Sequence, residues 1–187
     1  VTRSGTSTNS WTFANHYGNY DGEAFDNDSG DPGDIQWDDS NNSITVSGTV
    51  YINHGATPMG SPICDDVTPV VRVRVNGGGN HTGSCASLDG TYSIAGVGYS
   101  GDVVLTTYLD TGTGASSSVV VSKTPTADIT DMNIYKNMVI VRHENINAMT
   151  IANMNVYDGG DDPDIPFTAT VGGTDALTID PGIELHI

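Results

Sequence analysis

The sequence predicts an all-β protein, an antiparallel β-sandwich, on three observations. No long window repeats apolar residues at three and four positions, the spacing an amphipathic helix needs. Two stretches, "SITVSGTVYI" and "VVRVRVN", alternate apolar and polar residues with period two. Gly, Asp, Asn and Pro divide the remaining apolar runs at the short intervals of a sandwich.

Taken in chain order, the first element is an aromatic strand. In "SWTFANHYGNY", Trp11, Phe13, Asn15 and Tyr17 alternate with Thr12, Ala14 and His16, so one face of an extended strand is largely aromatic. It is expected either to pair with its own sandwich or to add to the sheet edge of a neighbouring copy. An acidic run from Asp21 to Asp39 follows and cannot bury itself by hydrophobic means. In "SITVSGTVYI", Ile44, Val46, Gly48, Val50 and Ile52 fall on one face; in "VVRVRVN", Val71, Val73 and Val75 alternate with Arg72 and Arg74. "GTYSIAGV", "DVVLTTYL", "SSSVVVS", "ITDMNIY", "NMVIVRH", "IPFTATV" and "ALTIDPGIELHI" read as further strands between turn residues. In "AMTIANMNV", Met149, Ile151, Met154 and Val156 fit neither period, and a strand or solenoid-like rung is expected there. The predicted organisation is an N-terminal strand and acidic loop over 1–42, a sandwich over 43–135, and, over 136–187, either a small C-terminal β unit or a continuation of the same sandwich.

The 187 residues carry a formal charge of -17, from 23 acids against six Lys and Arg. That balance makes nucleic acid an unfavourable partner, because phosphate binding needs clustered cations. No run approaches the roughly 20 apolar residues that cross a bilayer, so no membrane insertion is expected. The opening at Val1, without a signal peptide, reads as a processed secreted chain or an excised fragment. Cys64 and Cys85, the two cysteines, lack CxxC spacing; a disulfide in an oxidising compartment is the simplest reading. Asn27, Asn41 and Asn80 head Asn-x-Ser/Thr triplets in polar stretches where a glycan could sit.

Calcium takes six to eight hard oxygens, and in "DNDSGDPGD" Asp26, Asp28 and Asp31 surround a glycine-permitted turn. The match to an EF-hand loop is partial: Gly30 stands fifth, Asp31 sixth and Trp37 twelfth, where the motif needs Asp or Asn, Gly and Glu. A calcium loop and a solvated acidic loop are both open. Asp158, Asp161, Asp162 and Asp164 form a second candidate, with an acidic hairpin turn as the plain alternative. No catalytic residue is expected. "GYSGD" is not a nucleophile elbow, there is no zincin or phosphate-loop motif, and the five histidines, His16, His54, His81, His143 and His186, are scattered, none with a second His or Cys at ligand spacing. His143 and Glu144, as neighbours in a strand, would point to opposite faces.

"SGTVY", "PVVRVRVNG", "DGTYSIAGV" and "GDVVLTTYLD", in that order over about residues 43–109, resemble the carboxypeptidase-regulatory-like, or prealbumin-like, β-sandwich modules of secreted proteins. Within them, Asp89-Gly90 supplies a tight turn with a positive-φ residue, after which Tyr92 and Ile94 point to one face. The tail is similar to segments that follow such modules in large bacterial and archaeal surface proteins, "ALTIDPGIEL" resembling an opening rung of a β-solenoid. The resemblance implies adhesion, scaffolding or an accessory role, and carries no catalytic residue.

Together these features predict a non-enzymatic extracellular structural protein, the subunit of a cell-surface filament or layer that polymerises by β-strand addition. Trp11, Phe13 and Tyr17 would form one contact, and Ile183, Leu185 and Ile187 the other. The alternative is a calcium-stabilised adhesion or carbohydrate-binding module with Trp37, Tyr17 and Tyr20 as its sugar platform.

Overall fold

The computed structural model describes residues 2–3, 11–12, 42–55, 57–112, 117–123, 125, 127–142, 144 and 148–187. The chain divides into two compact units, Val1–Asp39 and Ser40–Ile187. In the first, β1 (Thr2–Arg3) pairs antiparallel with β2 (Trp11–Thr12); the rest of the predicted aromatic strand lies outside the described residues.

The second unit is built around β3 (Asn42–Tyr51), whose alternation holds: Ile44, Val46 and Val50 are buried. Ile52 is exposed, because the strand stops at Tyr51 and the backbone bends away. β4 (Val71–Val75) and β5 (Asn80–Gly83) form a hairpin, and β6 (Thr91–Tyr99) pairs antiparallel with β3 across a register irregularity between Ile44 and Val46. β7 (Val104–Leu109) and β8 (Ser118–Lys123) are antiparallel neighbours. β9 (Ile134–Tyr135) joins β3, giving a three-stranded sheet in the order β6-β3-β9.

β10 (Met138–Val141) and the last strand, β13 (Glu184–His186), complete a six-stranded sheet in the order β13-β10-β8-β7-β4-β5. Between them lie the short helix α1 (Ile151–Met154) and an antiparallel hairpin of β11 (Phe167–Thr170) and β12 (Ala176–Ile179). The sandwich is not antiparallel throughout: β8 with β10, β10 with β13, and β3 with β9 run parallel. Parallel neighbours need a crossover. The one between β8 and β10 passes through β9 in the opposite sheet; the one between β10 and β13 passes through α1 and the hairpin.

The six-stranded sheet is covered on both faces. Leu105, Leu109 and Val120 meet Val46, Val50, Tyr92, Ile94, Val97 and Ile134 of the three-stranded sheet in one core. Val104, Tyr108, Val119 and Val121, alternating with them along β7 and β8, meet Met154, Ile165 and Phe167 in a second. All six residues of β7 are therefore buried, as central strands between two layers require. Residues 136–187 continue the central sheet and supply the layer that covers its second face.

Two elements differ from expectation. Residues Ile151–Met154 form a helical turn instead of a strand or rung: the Thr150 hydroxyl accepts from the Asn153 amide, the Asn153 side chain accepts from the Thr150 amide, and Met154 anchors the turn in the second core. β5 has no apolar alternation to announce it. Its strand pairing among the described residues is with β4, Val71 opposite Gly83 and Arg74 opposite Asn80. Gly83 is required there, since a Cβ would stand 2.8 Å from Ile94 Cγ1.

The Asp89-Gly90 turn forms as expected. Gly90 has φ +67°, and its amide lies so close to β3 that a Cβ would stand 2.5 Å from the Val50 carbonyl oxygen. Asp89 Oδ1 accepts from the Thr91 amide at 3.1 Å and the Thr91 hydroxyl at 2.7 Å, which pulls the Asp89 carboxyl below its ordinary pKa. Cys64 and Cys85 form the expected disulfide, buried in the first core. No helix among the described residues is long and apolar enough to cross a membrane.

Candidate functional site

The acidic turn from Asp158 to Asp164 is committed to the second core. Asp158 and Asp164 are buried. Asp158 accepts from the Gly160 amide at 2.8 Å and the Ala169 amide at 2.7 Å, tying the turn to β11. Asp161 Oδ2 accepts from the Asp158 amide. Asp164 accepts from the amides of Thr111 and Gly112 at 3.2 and 2.9 Å, and so holds the start of the β7–β8 connection. Asp162 Oδ2 accepts from the hydroxyls of Tyr108, at 2.8 Å, and Tyr157, at 3.2 Å.

Arg74 completes this polar patch. Its guanidinium sits 5.0 Å from the centre of the Tyr157 ring, over the ring face. Burial, reinforced by the neighbouring Tyr157 and Asp162, raises the Tyr108 phenol far above its ordinary range. The four carboxylates are engaged with different donors: Asp158 with the Gly160 and Ala169 amides, Asp161 with the Asp158 amide, Asp162 with the two tyrosines, and Asp164 with the Thr111 and Gly112 amides. Each of the four carboxylates accepts from N–H or O–H donors of the turn itself, of β7, of β11 or of the start of the β7–β8 connection.

The one convergent group of His, Cys, Asp and Glu among the described residues lies elsewhere, at the rim of the sandwich, and consists of His54, Glu184 and His186. After Tyr51 the chain makes a tight loop: the Ile52 amide donates to the Thr57 carbonyl, Asn53 Oδ1 accepts from the Thr57 amide, and Gly55 turns with φ +93°. His54 stands outward on this loop, which continues the three-stranded sheet. Glu184 and His186 come from β13 of the six-stranded sheet and, two residues apart on a strand, share one side of it. The register Met138↔Glu184 and Ile140↔His186 fixes them, as does the Glu184 amide donating to the Asn137 carbonyl at 3.0 Å.

Glu184 Oε2 lies 3.2 Å from His186 Nε2 and 3.6 Å from His54 Nε2. The two imidazoles meet edge to face with ring centres 4.7 Å apart. All three side chains are open to solvent, at 65, 63 and 38% exposure for His54, Glu184 and His186. The sequence held only half of this arrangement, the Glu184-x-His186 pair at strand spacing. Nothing local announces His54, which arrives through the crossover topology.

Of the other predicted contact residues, Ile183 packs partly into the second core, whereas Leu185 is 39% and Ile187 97% exposed. Asn80 is exposed at the start of β5. Trp11 lies in β2, while Phe13, Tyr17, Tyr20 and Trp37, the acids Asp26, Asp28 and Asp31, and the sequon residues Asn27 and Asn41 fall outside the described residues. No protein-family model, curated protein or solved structure matches the chain, so nothing identifies a carboxypeptidase-regulatory-like module in it.

Proposed function

We propose that this chain is a non-enzymatic structural module of the cell exterior that joins copies of itself along a sheet edge. One observation carries the reading. β13 is the terminal strand of the six-stranded sheet, and no strand among the described residues pairs with its outer side. An unpaired edge presents backbone N–H and C=O groups to any extended segment that fits. Leu185 and Ile187, exposed on this edge, add the apolar contact that distinguishes a docking edge from a solvated one.

The aromatic stretch holding Trp11, Phe13 and Tyr17 is the segment whose alternation suits such an edge, supplied by a neighbouring copy. A buried disulfide and the strongly acidic surface accord with an exported protein, in which oxidised thiols persist and excess charge limits indiscriminate association. Calcium bound around Asp26, Asp28 and Asp31 and glycans on Asn80 are compatible additions to this picture.

Electron microscopy of the concentrated protein in calcium-containing, zinc-free buffer tests the proposal. Regular filaments or sheets are expected, and Leu185→Lys or Trp11→Ser is expected to disperse them without altering the melt. Dispersed wild-type particles at every concentration would remove the assembly reading and direct attention to glycan screening.

A further inference from the structure

We propose that His54, Glu184 and His186 bind a divalent transition-metal ion, zinc being the reference case, and that the ion clips the two sheets of the sandwich together at its rim. This is independent of assembly: it concerns one chain and holds whether or not the edge of β13 is used.

The ligand chemistry selects the ion. Two imidazole nitrogens and one carboxylate oxygen form a set that zinc and its neighbours accept, whereas calcium and magnesium want oxygen throughout. The distances fit as well. Bonds of roughly 2.0–2.1 Å in a tetrahedral shell place neighbouring ligand atoms roughly 3.4 Å apart. Glu184 Oε2 stands 3.2 and 3.6 Å from the two Nε2 atoms, and all three ligand atoms lie within 4.8 Å of one another. Their exposure leaves each side chain free to make the small rotation that closes the third separation. The fourth position faces solvent and takes water.

The alternative is a surface ion-pair cluster. Exposed pairs of this kind contribute about 0–1 kcal/mol each and give no reason for two imidazoles to meet on one carboxylate. The backbone, by contrast, is fixed on both sides: β13 by its register with β10, and the loop of His54 by the Tyr51–Pro58 bridge and its own hydrogen bonds. Glu184 and His186 on one sheet and His54 on the loop from the other are therefore held facing each other before any ion arrives.

The test is calorimetric titration of zinc chloride into the full chain after chelator dialysis, with a parallel thermal melt. One saturable site per chain is expected, with a melting temperature that rises by several degrees on zinc addition and falls back with chelator. His54→Ala and His186→Ala are each expected to weaken binding about tenfold or more, and the double variant to abolish it. His81→Ala, a histidine on β5, is expected to leave binding unchanged. All these side chains are at least partly exposed, and an unshifted zinc-free melt verifies that each variant is folded. Binding that survives in the double variant, no saturation up to about 1 mM zinc, or displacement of zinc by an equal concentration of calcium would each overturn the assignment.

Discussion

Reducing the Cys64–Cys85 bridge tests the link between stability and an oxidising compartment. The bridge joins residues 21 positions apart and encloses β4 and β5. In the chain-entropy model, closing a loop of that length lowers the entropy of the unfolded state enough to stabilise the fold by about 3 kcal/mol. For a unit of this size each kcal/mol moves the melting temperature by roughly 2–4 °C, so reduction should lower it by roughly 6–12 °C. Because both cysteines are fully buried, Cys64→Ala with Cys85→Ala also removes packed sulfur atoms. The double variant should lie lower again, by about 1 kcal/mol or more for each site. The assay is thermal unfolding by circular dichroism, with and without reductant, after thiol titration has confirmed that the bridge is open. A reduced protein melting within about 2 °C of the oxidised one would refute the reasoning, because it would mean that the bridge does not restrict the unfolded chain.

Three further outcomes follow from the packing. Gly90→Ala forces a Cβ into the positive-φ region and to 2.5 Å from the Val50 carbonyl oxygen, whereas Gly101→Ala, at φ +66°, meets nothing within 4 Å. Urea melts should show about 3 kcal/mol or more lost in the first and only about 1–2 kcal/mol in the second. Thr107→Val should be neutral or stabilising by about 1 kcal/mol, since the buried Thr107 hydroxyl has no hydrogen-bond partner among the described residues. Destabilisation by more than that would show that the hydroxyl is satisfied. Burial raises the pKa of both Tyr92 and Tyr108 above the ordinary 10.0. The folded state then keeps protons that the unfolded state releases, so stability is full below pH 10 and falls above it. With both phenols contributing, the loss steepens as pH rises through the range in which unfolded tyrosines ionise. Phenolate absorbance should appear for these two residues only together with unfolding; a phenolate signal from either in the folded protein would contradict the burial argument.

Much of the fold was legible because it rests on local alternation. β3, β4 and β6 each turn one face inward, and Ile44, Val46, Val50, Val71, Val73, Tyr92 and Ile94 lie where period two puts them, whereas Val97 is shifted by one residue across the irregularity in the β3–β6 pairing. β7 and β8 were legible as strands but not as central ones, since "VLTTYL" and "SVVVSK" look alike whether one face or both are buried. β5 was hidden because Asn80–Gly83 contributes backbone pairing and almost no apolar surface. α1 was hidden because four residues cannot show a helical period; the Thr150 and Asn153 side chains, acting on each other's amides, and the buried Met154 hold the turn. The acidic turn was legible as a cluster of acids, but its carboxylates point to different donors. The His54, Glu184 and His186 group depended on a parallel strand pairing that no local pattern encodes.

The double coverage of the six-stranded sheet also sets a hazard during synthesis. A growing chain that has laid down β7, β8 and β10 has the first core in hand, yet Val104, Tyr108, Val119, Val121 and Val139 stay bare until Met154, Ile165 and Phe167 emerge to cover them. For that interval the nascent module carries a wide apolar face made of strands, the kind of surface on which unfinished chains stick to one another. A translation stop shortly after Glu144 would make that state permanent. The product would be an aggregating fragment and not a smaller sandwich.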